Sequence, residues 1–150
     1  SLLQEEYSNK KYTGIDLSPK MIEKAKMKNL PNTEFIVGDC ENLPFEENSF
    51  DIVINSQSFH HYPNPQDFFN SVYKVLKPGG KLILRDNAAN KLFTWFANKV
   101  ELPLANLTGH GDVKMHTLEE VRGYCKKANL KVEKLEQQSR FRMHLVAVKE

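Results

Sequence analysis

The sequence is short of cysteine and of long hydrophobic runs, and each shortage excludes a class of protein. Its 150 residues include two cysteines, Cys40 and Cys125, which lack the spacing of metal ligands. A disulfide framework and a metal site are therefore not expected, and both thiols are predicted to be free in a reducing compartment. No apolar run approaches the roughly 18 residues that span a bilayer.

A strong excess of one charge is also missing. The chain has 21 basic and 19 acidic residues, a net charge of +2, which predicts neither a nucleic-acid surface nor binding to an anionic membrane. The first residues do not resemble a secretory signal. We therefore expect a cytoplasmic protein with a small-molecule partner, folded as one domain over residues 1–150.

Short β-prone clusters alternate with helical patterns, which predicts an α/β fold with a doubly wound, mostly parallel sheet. The first predicted strand is Tyr12–Leu17. Ser18 then suits the N-cap and Pro19 the first position of a helix that ends near Asn29. A second strand, Thr33–Val37, completes the first strand–helix–strand unit.

A second unit of the same kind follows. The predicted strand Phe50–Asn55 leads to a helical pattern from Phe68 to Leu76. Pro78-Gly79-Gly80 then predicts a turn before the strand Lys81–Asp86. The continuous apolar residues of the second and third strands predict burial on both faces of the sheet.

The remainder of the chain is less regular. Thr117 and Glu120 have the spacing of a capping box, which predicts a helix that continues to about Ala128. The other expected elements are a helix Ala88–Val100, an irregular segment Glu101–His116 with Pro103, Gly109 and Gly111, and an antiparallel strand pair, Leu130–Leu135 and Arg142–Val148.

Polar residues follow three of the strands, at the edge where parallel sheets bind ligands. Asp16 offers two carboxylate oxygens to a ribose diol, or it only assists the helix cap. In Gly38-Asp39-Cys40, a carboxylate beside a backbone N–H suits the edge of an adenine, although such residues are also common in turns. The loop Asn55–His61 either faces the same crevice or is an ordinary polar loop.

The order of these segments is more specific than any one of them. The succession TGIDLSPKMIEKA, VGDCENLPF, FDIVINSQSFHH and VLKPGGKLIL closely resembles the class I S-adenosylmethionine-dependent methyltransferases that modify small molecules. The resemblance is strong from Lys11 to Asp86 and looser beyond. It implies that S-adenosyl-L-methionine is the cofactor and that a small molecule accepts the methyl group.

The resemblance also implies roles for particular residues. Asp16 would bind the ribose hydroxyls, Leu17 and Met21 would pack on the adenine, and Asp39 and Cys40 would read its edge. Asn55 and Ser56 would border the methionine moiety, with the loop Phe59–Tyr62 near the transferred methyl.

One family feature is absent from this sequence. The family begins with a strand that ends in a G-x-G-x-G loop, whose backbone N–H groups approach the cofactor. None of the seven glycines forms such a loop, so the chain is interpreted as an amino-terminally truncated domain. In the family's strand order the absent strand lies between Tyr12–Leu17 and Phe50–Asn55. Their open edges predict a homodimer or a strand exchange.

A catalytic base is optional because the sulfonium is already a good leaving group. The histidines on offer are His60, His61, His110, His116 and His144, of which His60 and His61 lie best, at a strand end. The aromatic residues Phe93, Trp95 and Phe96 either line an acceptor pocket or belong to the core, and their helical spacing favours the core.

Two other functions fit parts of the pattern. A methyltransferase-like scaffold without cofactor would explain the missing glycine loop, but it gives no reason for Asp16, Asp39 and Asn55 to occur together. A nicotinamide-dependent oxidoreductase would also use an acidic strand end, but Val37-Gly38-Asp39-Cys40 and the Pro-Gly-Gly turn fit it poorly.

Overall fold

A computed structural model describes residues 2–88, 94–95, 98–99, 114–139 and 142–150. Contacts divide the chain into two compact units, Ser1–Pro44 and Phe45–Glu150. That residues 1–150 fold as a single domain stays a prediction. The predicted α/β class is confirmed, because strands and helices alternate along most of the described chain.

The amino-terminal unit holds two parallel strands. Its elements are α1 (Leu2–Glu6), β1 (Tyr12–Asp16), α2 (Pro19–Lys26) and β2 (Thr33–Val37). The predicted Ser18 cap is confirmed, since its side chain accepts a hydrogen bond from the Met21 amide. Helix α2 is shorter than predicted, and Asn29 beyond it adopts a left-handed backbone, φ 46°, that cannot continue a helix.

The carboxy-terminal unit holds a four-stranded mixed sheet. Its elements are β3 (Phe50–Ser56), α3 (Pro65–Val75), β4 (Leu76–Asn87), α4 (Leu118–Lys127), β5 (Leu130–Ser139) and β6 (Arg142–Lys149). The strand order is β3-β4-β6-β5, with β3 and β4 parallel and β6 antiparallel to both of its neighbours. The second strand–helix–strand unit and the closing antiparallel pair are thus confirmed.

The predicted Pro-Gly-Gly turn lies inside a strand. β4 begins at Leu76, not at Lys81, and its pairing with β3 shifts register between Phe50 and Ile52. Gly79 takes up the irregularity with φ 78°, a conformation that favours glycine. The sequence signal for a turn therefore marks a distortion of the strand.

The predicted capping box at the start of α4 is confirmed. The Thr117 hydroxyl accepts from the Glu120 amide at 3.2 Å, and the Glu120 carboxylate accepts from the Thr117 amide at 2.8 Å. The two bonds satisfy amides that the helix itself cannot pair. They fix the direction in which the chain enters α4.

The prediction that the second and third strands are buried on both faces of the sheet was wrong. The helices α3 and α4 of the carboxy-terminal unit cover one face of its sheet, where Leu82 and Leu84 are fully buried. The side chains of Ile52 and Ile54 alternate to the other face and are 54% and 52% exposed. In the amino-terminal unit, Val37 is likewise exposed.

Several predictions fall outside the described residues. Most of the predicted helix Ala88–Val100 and of the irregular segment Glu101–His116 lies there, including His110, Phe93 and Phe96. Of this region, Ala88 forms an isolated parallel bridge with His116. Within the described ranges, none of the helices combines the length and the apolar composition that a membrane span requires.

Candidate functional site

Two of the predicted cofactor residues, Asp16 and Asp39, follow neighbouring parallel strands at the same edge. Asp16 ends β1, and its carbonyl oxygen accepts from the Gly38 amide at 3.1 Å, directly before Asp39. A Cβ at Gly38 would lie 2.8 Å from Cδ1 of Ile15, so a larger residue there would displace the Ile15 side chain. The amino-terminal unit therefore brings Asp16 and Asp39 to the same edge of its sheet.

One oxygen of the Asp16 carboxylate bonds the backbone at the start of helix α2. Its Oδ1 accepts from the Ser18 amide at 2.8 Å. No hydrogen bond to Oδ2 is found among the described residues, so this oxygen can accept from an added hydroxyl. Capping and diol binding, which are alternatives in the sequence, are compatible in the structure.

Apolar side chains are exposed beside this carboxylate. Leu17 is 66% exposed and Met21 is 53% exposed, an unusual position for large hydrophobic groups. Asp39 caps the short 3₁₀ turn Cys40–Asn42 by accepting from the Glu41 amide at 2.8 Å, and Cys40 is half-buried. Together these residues offer an apolar surface and acceptor oxygens to a planar ligand.

In the carboxy-terminal unit, Asn55 lies near the end of β3. The side chain is 7% exposed and its Nδ2 donates to the Tyr62 hydroxyl at 2.6 Å. Ser58 also bonds that hydroxyl, at 3.1 Å. The Asn55 Oδ1 is buried and has no hydrogen-bond partner among the described residues, which is costly unless a ligand or water supplies a donor.

A buried carboxylate at the end of β4 holds the loop that follows β3. Asp86 is fully buried, and its Oδ1 lies 2.6 Å from Nδ1 of His60. Its Oδ2 accepts from the Phe59 amide at 2.7 Å. Burial raises the pKa of Asp86, but the hydrogen bonds, above all the one with His60, outweigh it and hold the pKa below its ordinary value.

The remaining histidines differ in environment. The His61 ring lies 4.0 Å from that of His60, and His144 on β6 contacts Gln138. His116 is fully buried, and its ring lies 4.7 Å from that of Phe59. In the part of the chain that the structure describes, neither of its ring nitrogens has a hydrogen-bond partner. Burial is the main cause that lowers the pKa of His116 to about 4, so this imidazole is neutral at pH 7.

Comparison with known proteins assigns this architecture to a family. The family described as "Methyltransferase domain" matches residues 1–84, which is more than half of the chain. The chain belongs to this methyltransferase family. The predicted resemblance of the sequence to the class I, S-adenosylmethionine-dependent methyltransferases is thereby confirmed.

Curated relatives carry methyltransferase names. The chain is 46% identical over 92 residues to the phthiotriol/phenolphthiotriol dimycocerosates methyltransferase of Mycobacterium leprae strain TN, covering 58% of this chain and 34% of the relative. It is 40% identical over 76 residues to the fatty-acid O-methyltransferase of Mycolicibacterium smegmatis, covering 50% and 28%. The chain thus spans about a third of the length of these relatives.

The fold is shared more widely than the sequence. A crystal structure of a Bacillus halodurans C-125 protein superposes with a TM-score of 0.82 at 22% identity, covering 99% of this chain and 87% of that one. At this identity the likeness shows the fold alone. The Rossmann-like methyltransferase fold is confirmed.

A cavity of this methyltransferase domain lies beside the start of α4. Its volume is about 450 Å³ and its lining includes Trp95, Asn98, Thr117 and Glu120. The assignment of Trp95 to the core was wrong, because this residue is 60% exposed and lines the cavity. Helical spacing does not tell an aromatic residue at an open cavity from one in the interior.

Sequence reasoning missed Asp86 as a site residue, and it included Tyr62 only as the end of the loop Phe59–Tyr62, without its contact with Asn55. Asp86 carries the same signal that singled out Asp16, an acidic residue at the carboxyl end of a buried strand. Tyr62 carries no such signal, since its contact with Asn55 depends on how the loop after β3 turns back.

Proposed function

We propose that this chain is part of an enzyme that transfers a methyl group from S-adenosylmethionine to a small, lipid-like molecule. Membership of the methyltransferase family supports the reaction. The names of two relatives, one acting on phthiotriol compounds and one on fatty acids, support the acceptor class. The observation that carries the proposal is the Asp16 carboxylate beside exposed Leu17 and Met21.

The residues of the amino-terminal unit fit the adenosine part of the cofactor. The Asp16 Oδ2 accepts from a ribose hydroxyl while Oδ1 keeps the cap, and Leu17 and Met21 lose exposed apolar area against the adenine. Asp39 and the Cys40 amide contact the edge of the base. When bound, the cofactor supplies a methyl group on a positively charged sulfur.

In the carboxy-terminal unit, Asn55 and Ser56 are assigned to the methionine part. The buried Asn55 Oδ1, which bonds no residue that the structure describes, suits an ammonium donor. His60 and His61 stay candidates for a base near the methyl group. The acceptor is assigned to the cavity that Trp95 and Asn98 line.

Calorimetry with S-adenosylhomocysteine tests the cofactor proposal. We expect Asp16→Asn to weaken binding about tenfold or more, because Asn keeps the cap acceptor but loses the charge and the second carboxylate oxygen, worth about 1.5–3 kcal/mol. Glu34→Gln, an exposed carboxylate on β2, is the matched control and should bind like the unchanged chain.

The comparison extends to a longer chain if the gene encodes sequence upstream of Ser1. Binding by the longer chain alone would show that residues upstream of Ser1 supply essential contacts, at about 1–3 kcal/mol for each buried hydrogen bond. Equal binding by Asp16→Asn and the unchanged protein would contradict the assigned role of Asp16. No binding by either chain would favour the scaffold function.

We also propose that a second copy of the chain supplies a strand to the open edges of β1 and β3. Among the described residues, β1 pairs with β2 and β3 with β4, each along one edge. Open edges with apolar side chains favour pairing with another chain. Ile52 and Ile54 on β3 are such side chains.

Light scattering measures the mass that this proposal predicts. The chain of 17.3 kDa should behave as a dimer at micromolar concentration. Ile54→Lys should shift it toward monomer, because a charge on an exposed strand opposes edge pairing. Met27→Lys, at an exposed residue of the turn after α2, should not. A stable monomer of the unchanged chain would contradict the proposal.

A further inference from the structure

A second cavity of the carboxy-terminal unit contains two arginines. It lies at the edge of the sheet where β3 and β4 end and β6 begins, and its volume is about 220 Å³. Its lining consists of Ser56, Gln57, Arg85, Asp86, Arg142 and Met143. Both guanidinium groups therefore border one small space.

The register of the strands places the two arginines on the same face of the sheet. Arg85 on β4 lies opposite Ser56 on β3 and His144 on β6. Asn87, two residues further along β4, lies opposite Arg142. Partners in register share a face, and so do residues two apart in a strand. Both arginines are exposed on the face that α3 and α4 leave open.

Other cations of this sheet are already paired with carboxylates. Lys81 bonds Glu133 at 2.7 Å, and Lys134 bonds Glu136 at 3.0 Å. Over the residues that the structure describes, neither arginine of the cavity has a carboxylate partner, and one of them donates to the amide oxygen of Gln138 at 3.2 Å. A guanidinium group matches the geometry of a carboxylate or a phosphate. The two arginines can therefore accept an added anion.

The backbone beside the arginines is strained. Gln57 adopts φ 58°, a left-handed conformation that is uncommon for a residue other than glycine. Its amide donates to the carbonyl oxygen of Arg85 at 2.9 Å, which holds this conformation in place. Such strain is concentrated at ligand sites, where the surrounding structure maintains it.

One carboxylate also borders the cavity, and its charge is balanced within the protein. Asp86 is fully buried, and its Oδ2 accepts from the Phe59 amide at 2.7 Å. Its Oδ1 accepts from the Asn87 amide at 2.6 Å and lies 2.6 Å from Nδ1 of His60. In the described part of the chain it forms no ion pair with either arginine. The charge that the cavity offers to a ligand is therefore positive.

A row of apolar side chains adjoins the arginines on the same face. Ile54, Ile83 and Val146 lie in register across β3, β4 and β6. This apolar row is two residues, about 7 Å, from the row of Ser56 and Arg85. Ile54 is 52% exposed. The face thus presents a hydrocarbon surface next to a cationic edge.

We propose that this edge binds an amphiphile whose anionic group, a carboxylate or a phosphate, is held by Arg85 and Arg142. Its hydrocarbon chain lies along the apolar row and removes exposed apolar area from water. The inference goes beyond the proposed function, because the binding needs neither the cofactor nor methyl transfer. It assigns a second ligand site, separate from the cavity that Trp95 lines.

Nuclear magnetic resonance titration of the full chain tests this site. Octanoate and octyl phosphate should shift the amide signals of Gln57, Arg85 and Met143. Both should bind at least about tenfold more tightly than octan-1-ol, which lacks the charge, and than acetate or inorganic phosphate, which lack the chain. The tighter of the two octyl ligands distinguishes a free fatty acid from a phosphate headgroup.

Substitution of the arginines separates this site from general binding to a basic protein. Arg85→Gln and Arg142→Gln should each weaken octanoate binding about fivefold to tenfold, because each removes a charged donor. Arg122→Gln, which removes an exposed guanidinium group from α4, is the matched control and should bind within about twofold of the unchanged chain. All three residues are exposed, so the variants should fold.

Three results would overturn the inference. They are unchanged octanoate binding in the double arginine variant, equal binding of octan-1-ol, and equal binding of acetate. Ser56, assigned above to the methionine part of the cofactor, borders the same cavity. A tenfold loss of S-adenosylhomocysteine binding in the double variant would therefore assign the arginines to the cofactor and also overturn the inference. Failure of the unchanged chain to bind S-adenosylhomocysteine counts against the proposed function alone, since octanoate is titrated without it.

Discussion

Lowering the pH from about 6.5 to about 4 is expected to reduce the free energy of unfolding by about 3 kcal/mol through His116 alone. Burial is the largest cause that lowers the pKa of this imidazole from 6.5 to about 4, and the positive charge of Lys114 adds to it. Glu120 and Asp86 oppose the shift in part, and His60 reinforces it. Between the two pKa values the imidazole is protonated in the unfolded chain and neutral in the folded chain. The free energy of unfolding therefore decreases as the pH is lowered.

Urea denaturation at a series of pH values measures this loss, and His116→Leu is the matched variant. Among the described residues neither ring nitrogen has a hydrogen-bond partner, so an apolar side chain of similar size should not destabilise the protein at pH 7. The variant should lose little stability between pH 6.5 and 4. Its remaining loss should come lower, where Asp86 and Glu120, whose pKa values are also lowered, become protonated. An unchanged slope in His116→Leu would contradict the assignment.

The sequence predicted the elements whose signals are local. The Ser18-Pro19 start of α2 and the Thr117 capping box of α4 depend on residues three positions apart, and both were confirmed. Strand β2 was predicted with its observed bounds, Thr33–Val37. In each case the hydrogen bonds or the apolar run lie within one short stretch of chain.

The half-site of the amino-terminal unit was predictable for a related reason. Parallel strands end at the same edge of a sheet, so Asp16 and Asp39, each following a strand, had to approach one another once β1 and β2 paired. Their contact with a cofactor stays a prediction that calorimetry decides.

The pair of Asp86 and His60 was not predictable from local signals. The two residues are 26 positions apart, and their contact depends on the register of β3 against β4. That register contains an irregularity at Gly79, which the sequence marks only as a turn. Both residues were visible as strand-end polar groups, but nothing in the sequence joined them.

The prediction that β3 is buried on both faces was wrong for a physical reason. A continuous apolar run shows that both faces can be covered, but it does not supply the cover. The described helices α3 and α4 lie on one face, and Ile52 and Ile54 on the other remain exposed. The same exposed side chains support the proposed pairing with a second copy.

Replacing Phe59 by alanine is expected to lower the free energy of unfolding by about 3–5 kcal/mol, a large share of the stability of a small domain. The ring is fully buried and lies within 6.5 Å, centroid to centroid, of a cluster of aromatic rings. The cluster consists of Tyr62, Phe68, Phe69, His116 and Tyr124. Alanine would leave a cavity that these rings, which belong to three separate segments, cannot close together.

Urea denaturation of Phe59→Ala and of Phe45→Ala separates this effect from the loss of any phenylalanine. Phe45 is half-buried and packs edge-to-face on Phe50 at 4.8 Å, so its variant should lose only about 1–2 kcal/mol. The Phe59 amide bonds Asp86, and Asp86 in turn bonds the His60 ring. The nuclear magnetic resonance signals of the His60 ring should therefore also be disturbed in the Phe59→Ala protein while it is still folded. Equal losses of unfolding free energy in the two variants, with the His60 ring signals undisturbed, would mean that the aromatic cluster does not anchor the loop that contains Phe59 and His60.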